Sequence, residues 1–200
     1  MPLARMAILA ALLFSATTVS GQPPAKKDDK SDPLEKFEPK GAPGAGQKFL
    51  SKFVGDWNVT KTFYPRTEGA EPTKLPGTCK QEMIQEGRFL KSDFVFEGTK
   101  GKTTGTGVIG FESPSGLFTS TWIDSRQTKM SFRRSPEKFD GKQIVLHGVA
   151  FEEVKDGRKS KTVTKLENDG NTIVHRQFSI AADGTERAVM QLEMTRKPAK

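Results

Sequence analysis

Four Asp-Gly pairs punctuate the second half of this 200-residue chain, at Asp140-Gly141, Asp156-Gly157, Asp169-Gly170 and Asp183-Gly184. Runs rich in Thr, Val, Ile and Phe flank them. The pair accepts the positive backbone angles of tight turns, so each reads as the bend of a β-hairpin. Further turn chemistry stands at Glu86-Gly87, Lys100-Gly101 and Ser113-Pro-Ser-Gly116. Between these bends the sequence predicts strands near 56–64, 77–86, 88–97, 103–112, 116–125, 127–134, 142–151, 159–167, 171–180 and 186–196. No long helical pattern interrupts them, which argues against a parallel α/β sheet. About ten short strands joined by hairpins predict an all-β fold, an up-and-down antiparallel barrel. A sandwich is the alternative, but no long crossover connection is evident. One short helix is expected over Lys48–Val54, with Phe49, Leu50 and Phe53 on one side.

Three segments divide the chain. Residues 1–21 have the layout of a secretory signal peptide: Arg5, the apolar run Met6–Phe14, then small polar residues ending at Gly21. That run is too short to cross a bilayer, and no second one follows, so the mature chain is expected to have no membrane span. Export to the periplasm or the extracellular space is the expectation. Residues 22–46 are rich in Pro, Lys, Asp and Gly and poor in large apolar side chains, as in a flexible linker. Residues 47–197 form the expected barrel domain.

The formal charge is +8, but no run of five consecutive basic residues occurs. The densest cluster, Lys155, Arg158, Lys159, Lys161 and Lys165, suits a solvated hairpin whose lysines block edge pairing. Interleaved aromatics for base stacking are missing, so nucleic acid is not an expected partner. Cys79 is the single cysteine, which leaves no internal disulfide. It reads as a small buried hydrophobe.

Strand alternation assigns the side-chain faces. It places Met130 and Phe132 inward, with Lys129, Ser131 and Arg133 outward. Ala188, Met190, Leu192 and Met194 share an inner face, and so do Leu90, Phe94 and Phe96. Trp122 and Phe118 are in phase with Ser120 and Asp124. Two apolar faces also carry a cation: Arg176 is in phase with Val174, Phe178 and Ile180, and Lys61 with Trp57, Val59 and Phe63. An unpartnered buried charge is costly. Arg176 and Lys61 therefore pair with a group such as Asp124, reach solvent through a register break, or await an anionic ligand. His147 and His175 stand alone on separate strands without ligand-spaced partners, which does not suggest a metal or haem site.

Gly105-x-Gly-x-x-Gly110 matches the dinucleotide fingerprint in letters only. The fingerprint needs a helix to follow, and Phe-Glu-Ser-Pro follows here. The glycines fit close backbone approach in a barrel instead. No nucleophile elbow, zinc helix or P-loop is present, and no cofactor is expected.

Phe49-Leu50 before Gly55-Asp-Trp57, then Gly87-Arg-Phe-Leu90, Gly105-x-Gly-x-x-Gly-Phe111, Ser120-Thr-Trp-Ile-Asp-Ser125 with Thr128, and a closing Thr195-Arg-Lys197 resemble the bacterial domain of unknown function 1579. The resemblance implies a calycin-like β-barrel, similar in plan to lipocalins and fatty-acid-binding proteins, and carries no activity. A binding module follows as the first functional expectation. Met130, Phe132, Met190 and Met194 would line the interior, Arg176 or Lys61 would hold an anionic head, and Asp124 beside Trp122 would hold Arg176 or a polar ligand end. The possible ligand is a small amphiphile. The alternative is a periplasmic or cell-surface interaction or structural protein with a filled barrel. Catalysis has no triad or metal spacing behind it.

Overall fold

The computed structural model describes Leu34 and residues 40–198, except 68, 100 and 150–158. The expected signal peptide and most of the expected linker therefore lie outside the described residues, as do Asp156-Gly157 and, from the basic cluster, Lys155 and Arg158. The chain divides into two units, 1–40 and 41–200, and every helix and strand named below belongs to the second.

A short helix α1 (Ala45–Leu50) runs into a 3-10 turn (Ser51–Phe53). Ten strands come after it: β1 (Gly55–Phe63), β2 (Thr73–Ile84), β3 (Phe89–Gly98), β4 (Gly101–Glu112), β5 (Leu117–Asp124), β6 (Ser131–Arg134), β7 (Gln143–Val149), β8 (Lys159–Glu167), β9 (Thr172–Ile180) and β10 (Glu186–Arg196). Each strand pairs with its sequence neighbour, and β1 pairs with β10, so the sheet closes into a barrel. Every pairing is antiparallel. Closure removes the free edges that an open sheet of such strands would expose.

The turn glycines behave as the Asp-Gly pattern requires. Gly141, Gly170 and Gly184 have φ of 83°, 88° and 87°. Asp140 and Asp183 lock their bends by accepting from the amides of Lys142 (2.8 Å) and Thr185 (2.9 Å). The glycines of the central hairpin do a different job. A Cβ at Gly105 would lie 2.5 Å from Cη2 of Trp122 and closer still to Cζ2. The bare backbone is what lets that indole lie flat on β4.

Helix α1 and its 3-10 turn close one end of the barrel. Leu50, Phe53 and Trp57 are fully buried there, and the Trp57 indole donates to the Phe53 carbonyl at 3.0 Å. Rings of Phe49, Phe111, Phe118 and Phe139 pack around the plug at centroid distances of 4.9–6.2 Å. Arg196 fastens it. Its guanidinium donates to the carbonyls of Val54 (2.6 Å), Lys52 (2.9 Å) and Gly170 (2.9 Å), and lies 4.2 Å above the Trp57 ring. Cys79 is buried beside this core, as its sequence context suggests. Apolar packing thus concentrates at the plugged end. The β1 register, Gly55 to Phe63, runs from there toward the opposite, emptier end.

Two faces are opposite to the alternation expected from sequence. Strand β6 begins at Ser131, so 127–130 is a loop, and Met130 is 48% exposed in it. Phe132 pairs with Thr121 and Val149 on the outer surface, while Ser131 and Arg133 point inward. In β9 the inner face carries Ile173, His175 and Gln177. Arg176 is exposed outside, donating to Gln191 Oε1 at 2.9 Å. A one-residue change of phase reverses every side chain of a strand. Outward Val174, Phe178 and Phe132 supplied the misleading apolar signal. In β10 a register shift between Ala188 and Met190 breaks the phase that Ala188 was expected to share.

Candidate functional site

Away from the plug, the barrel interior holds a cavity of about 520 Å³. Phe63 of β1, Phe96 of β3, Trp122 of β5, and Met190 and Leu192 of β10 give it apolar walls. Polar groups enter between them: Lys61, Asp124, Ser131, Arg133, His175 and Gln177, with Arg126 from the loop after β5. Of the residues expected at the site, Lys61, Trp122, Asp124 and Met190 meet here. Met194 is buried deeper, in a second chamber, whereas Met130, Phe132 and Arg176 lie outside the barrel wall.

Asp124 is held by its own hairpin. Its carboxylate accepts from the Trp122 indole (2.9 Å), the Arg126 amide (2.8 Å) and the Gln127 side chain (3.1 Å). Partial burial pushes its carboxyl upward. The three hydrogen bonds and the Lys61 charge outweigh this and leave it below the ordinary carboxylate range. Asp124 thus orients Trp122 rather than Arg176.

Lys61 snorkels across the aromatic wall, its ammonium 4.6 Å from the Phe96 centroid and 4.7 Å from that of Phe63. Burial first, then the Arg126 charge, pull its pKa below the usual lysine value, with Asp124 partly offsetting them.

Arg133 is the residue that sequence reasoning missed. It projects inward from β6 opposite Ser120 on one side and Gly148 on the other. No carboxylate pairs with it among the described residues, and its Nε is buried without a hydrogen-bond partner. Burial disfavours its charge, yet a guanidinium stays protonated. Gly148 across the strand pair is no signal for it, since a Cβ there would meet the Ser160 side chain.

His175 stands where the cavity meets the second chamber, lining both. Its Nδ1 shares a 2.8 Å hydrogen bond with Thr164 Oγ1. Burial, aided by the Arg133 charge, lowers its pKa to about 4, so the ring is neutral at physiological pH. The arrangement can solvate an anion at Arg133 and Lys61 while the walls cover an apolar body. No group of three or more His, Cys, Asp or Glu residues placed to hold a metal ion occurs among the described residues.

Solved structures share this architecture. The chain is similar to the crystal structure of Rv2717c from M. tuberculosis, with 13% identity and a TM-score of 0.55 over 79% of this chain and 100% of that one. It is also similar to the S-type phycobiliprotein lyase CPES from Guillardia theta, with 11% identity and a TM-score of 0.52 over 84% of this chain and 99% of that one. At such identities the likeness establishes a common calycin-like fold and nothing more. No curated protein matches the chain in sequence. Residues 42–196, which take in the plug and all ten strands, match the protein family of unknown function DUF1579, and the chain belongs to that family.

Proposed function

We propose that this protein is an exported binding module that carries a small anionic amphiphile in its barrel. One observation carries the reading: Arg133 projects into a cavity of about 520 Å³ with its Nε unpartnered and no carboxylate beside it among the described residues. A barrel that served only as a solid body would gain by replacing that cation with an apolar side chain, because desolvated charge without a partner is costly. Retention makes sense where an anion completes the pair. The cavity volume falls within the range of small-molecule sites. Among the described lining residues, Lys61, Arg126 and Arg133 face a single carboxylate, Asp124, which its own hairpin already engages. Phe63, Phe96, Trp122 and Met190 would cover the ligand's apolar part. The signal-peptide pattern of residues 1–21 supports export, to the periplasm or beyond.

The alternative, an interaction protein of the envelope, has one feature in its favour. Phe89, Phe132 and Val149 line an outer groove of about 390 Å³. Native mass spectrometry of protein recovered from the exported fraction, with titration of 11-(dansylamino)undecanoic acid, separates the readings. Carriage predicts a one-to-one adduct and dansyl fluorescence that saturates and is displaced by unlabelled acids. A protein that stays in the cytoplasm would refute export, and the lack of any saturable binding would refute carriage.

A further inference from the structure

Below the cationic cavity lies a second chamber of about 150 Å³, toward the helical plug. Leu50, Phe53, Leu90, Phe94, Ile173 and Met194 give it a largely apolar wall. A dry apolar cavity of roughly this volume accepts a benzene molecule. Trp122, His175 and Leu192 line both chambers, so the two spaces adjoin.

Ser92, Ser120, Thr164 and His175 also reach this wall, and one further polar side chain there has an atom without a partner among the described residues. Gln81 is 7% exposed and lines the inner chamber. Its Nε2 donates to Ser92 Oγ at 2.8 Å, but its Oε1 has no hydrogen-bond partner among the described residues. A buried amide oxygen without a donor costs stability, and leucine would fill the same space without that cost. Turning the amide over does not remove the problem. Ser92 would then donate to the oxygen, and the amide nitrogen would be left bare. A hydroxyl both donates and accepts, so it satisfies either orientation.

We infer that the inner chamber is a second subsite for the far end of the same ligand, a small ring bearing one hydroxyl that bonds to Gln81. The inference rests on the carrier reading of the outer cavity. The ligand class becomes a hydroxyaryl acid or its isostere, with its anion at Arg133 and its ring between Phe53, Phe94 and Met194.

Calorimetry tests this with ω-(4-hydroxyphenyl)alkanoates of graded chain length, each matched to its ω-phenylalkanoate. At the best length the hydroxylated acid is expected to bind about tenfold more tightly than its partner. Gln81→Leu should abolish that preference while keeping affinity for the phenyl acid, and Gln81→Met should do the same if leucine perturbs the fold. Arg133→Met should weaken both acids alike and leave the preference intact. Equal affinities for matched acids in the wild-type protein, or a preference that survives both Gln81 substitutions, would overturn the subsite and leave the carrier reading standing. Failure of both acid series and of the dansyl probe would overturn the carrier reading itself.

Discussion

Gly105→Ala adds a single methyl group, and its cost follows from the surroundings of one indole. The new Cβ would lie 2.5 Å from Trp122 Cη2, far inside contact distance. The ring cannot retreat freely. Phe94, itself 7% exposed, packs edge-on at 5.6 Å, and the indole is pinned to Asp124 at 2.9 Å. Clearing the methyl pushes the ring into the cavity and breaks that bond. A hydrogen bond to a charged acceptor contributes roughly 1.5–3 kcal/mol, and the aromatic pair about 1 kcal/mol. Replacing a strand glycine returns about 0.5–1 kcal/mol of backbone entropy. The net loss is about 2–3 kcal/mol.

Two neighbouring glycines serve as controls. A Cβ at Gly107 would meet Trp122 at 3.4 Å, an ordinary contact, so Gly107→Ala should be neutral or slightly stabilising. At Gly110 the obstacle is Phe89 at 2.7 Å, but that ring is 40% exposed and turns into solvent, so the cost stays below about 1 kcal/mol. Urea unfolding of the three variants reads the order directly, with near-ultraviolet circular dichroism reporting the Trp122 environment. If Gly105→Ala and Gly107→Ala agreed within about 0.5 kcal/mol, the close-approach explanation of the glycine motif would be wrong.

The same geometry sets three further expectations. His175 has a folded pKa of about 4 against 6.5 unfolded, so the unfolded chain binds the extra proton between these values. Its stabilising contribution is complete above pH 6.5 and falls by about 3 kcal/mol as pH drops to 4. In His175→Gln, urea midpoints should lose that segment of their pH dependence, and an unchanged profile would contradict the neutral imidazole. Arg196→Lys keeps a charge but cannot reach three carbonyls and stack on Trp57 at once. Thermal unfolding should show a loss of about 2 kcal/mol, and an unaltered midpoint would deny the fastening role. Cys79 is 3% exposed, and burial holds its thiol far above the usual range. Ellman's reagent should therefore label it only after denaturant is added, and rapid native labelling would contradict the packed core around it.

Hairpin chemistry and period-two patterning made the architecture legible, down to strand bounds that differ by a few residues at most of the ten. The faces were legible where the inner face is itself apolar. In β3 and β10, Leu90, Phe94, Phe96, Met190, Leu192 and Met194 face in as their alternation requires, because those stretches of the wall are apolar even where they border a chamber. Strands β6 and β9 border the cavity. Their inner faces carry Ser131, Arg133, His175 and Gln177, while Phe132, Val174 and Phe178 coat the exterior. Reading apolar as inward therefore reverses both strands and exchanges Arg133 for Arg176. Lys61, Trp122 and Asp124 escaped this because Trp57 and Phe118, deep in the plugged end, fix the phase of β1 and β5. The two inverted strands mark the polar part of the interior, which is where a site belongs.

Arg133 is the side chain on which carriage stands or falls. Displacement of 11-(dansylamino)undecanoic acid, measured beside thermal unfolding on wild-type, Arg133→Met and Arg176→Met proteins, tests its role directly. We predict that Arg133→Met binds at least about tenfold more weakly yet unfolds at the same or a higher temperature, while Arg176→Met binds as the wild type does. An Arg133→Met protein with unchanged affinity, or one that binds no differently from Arg176→Met, would contradict it.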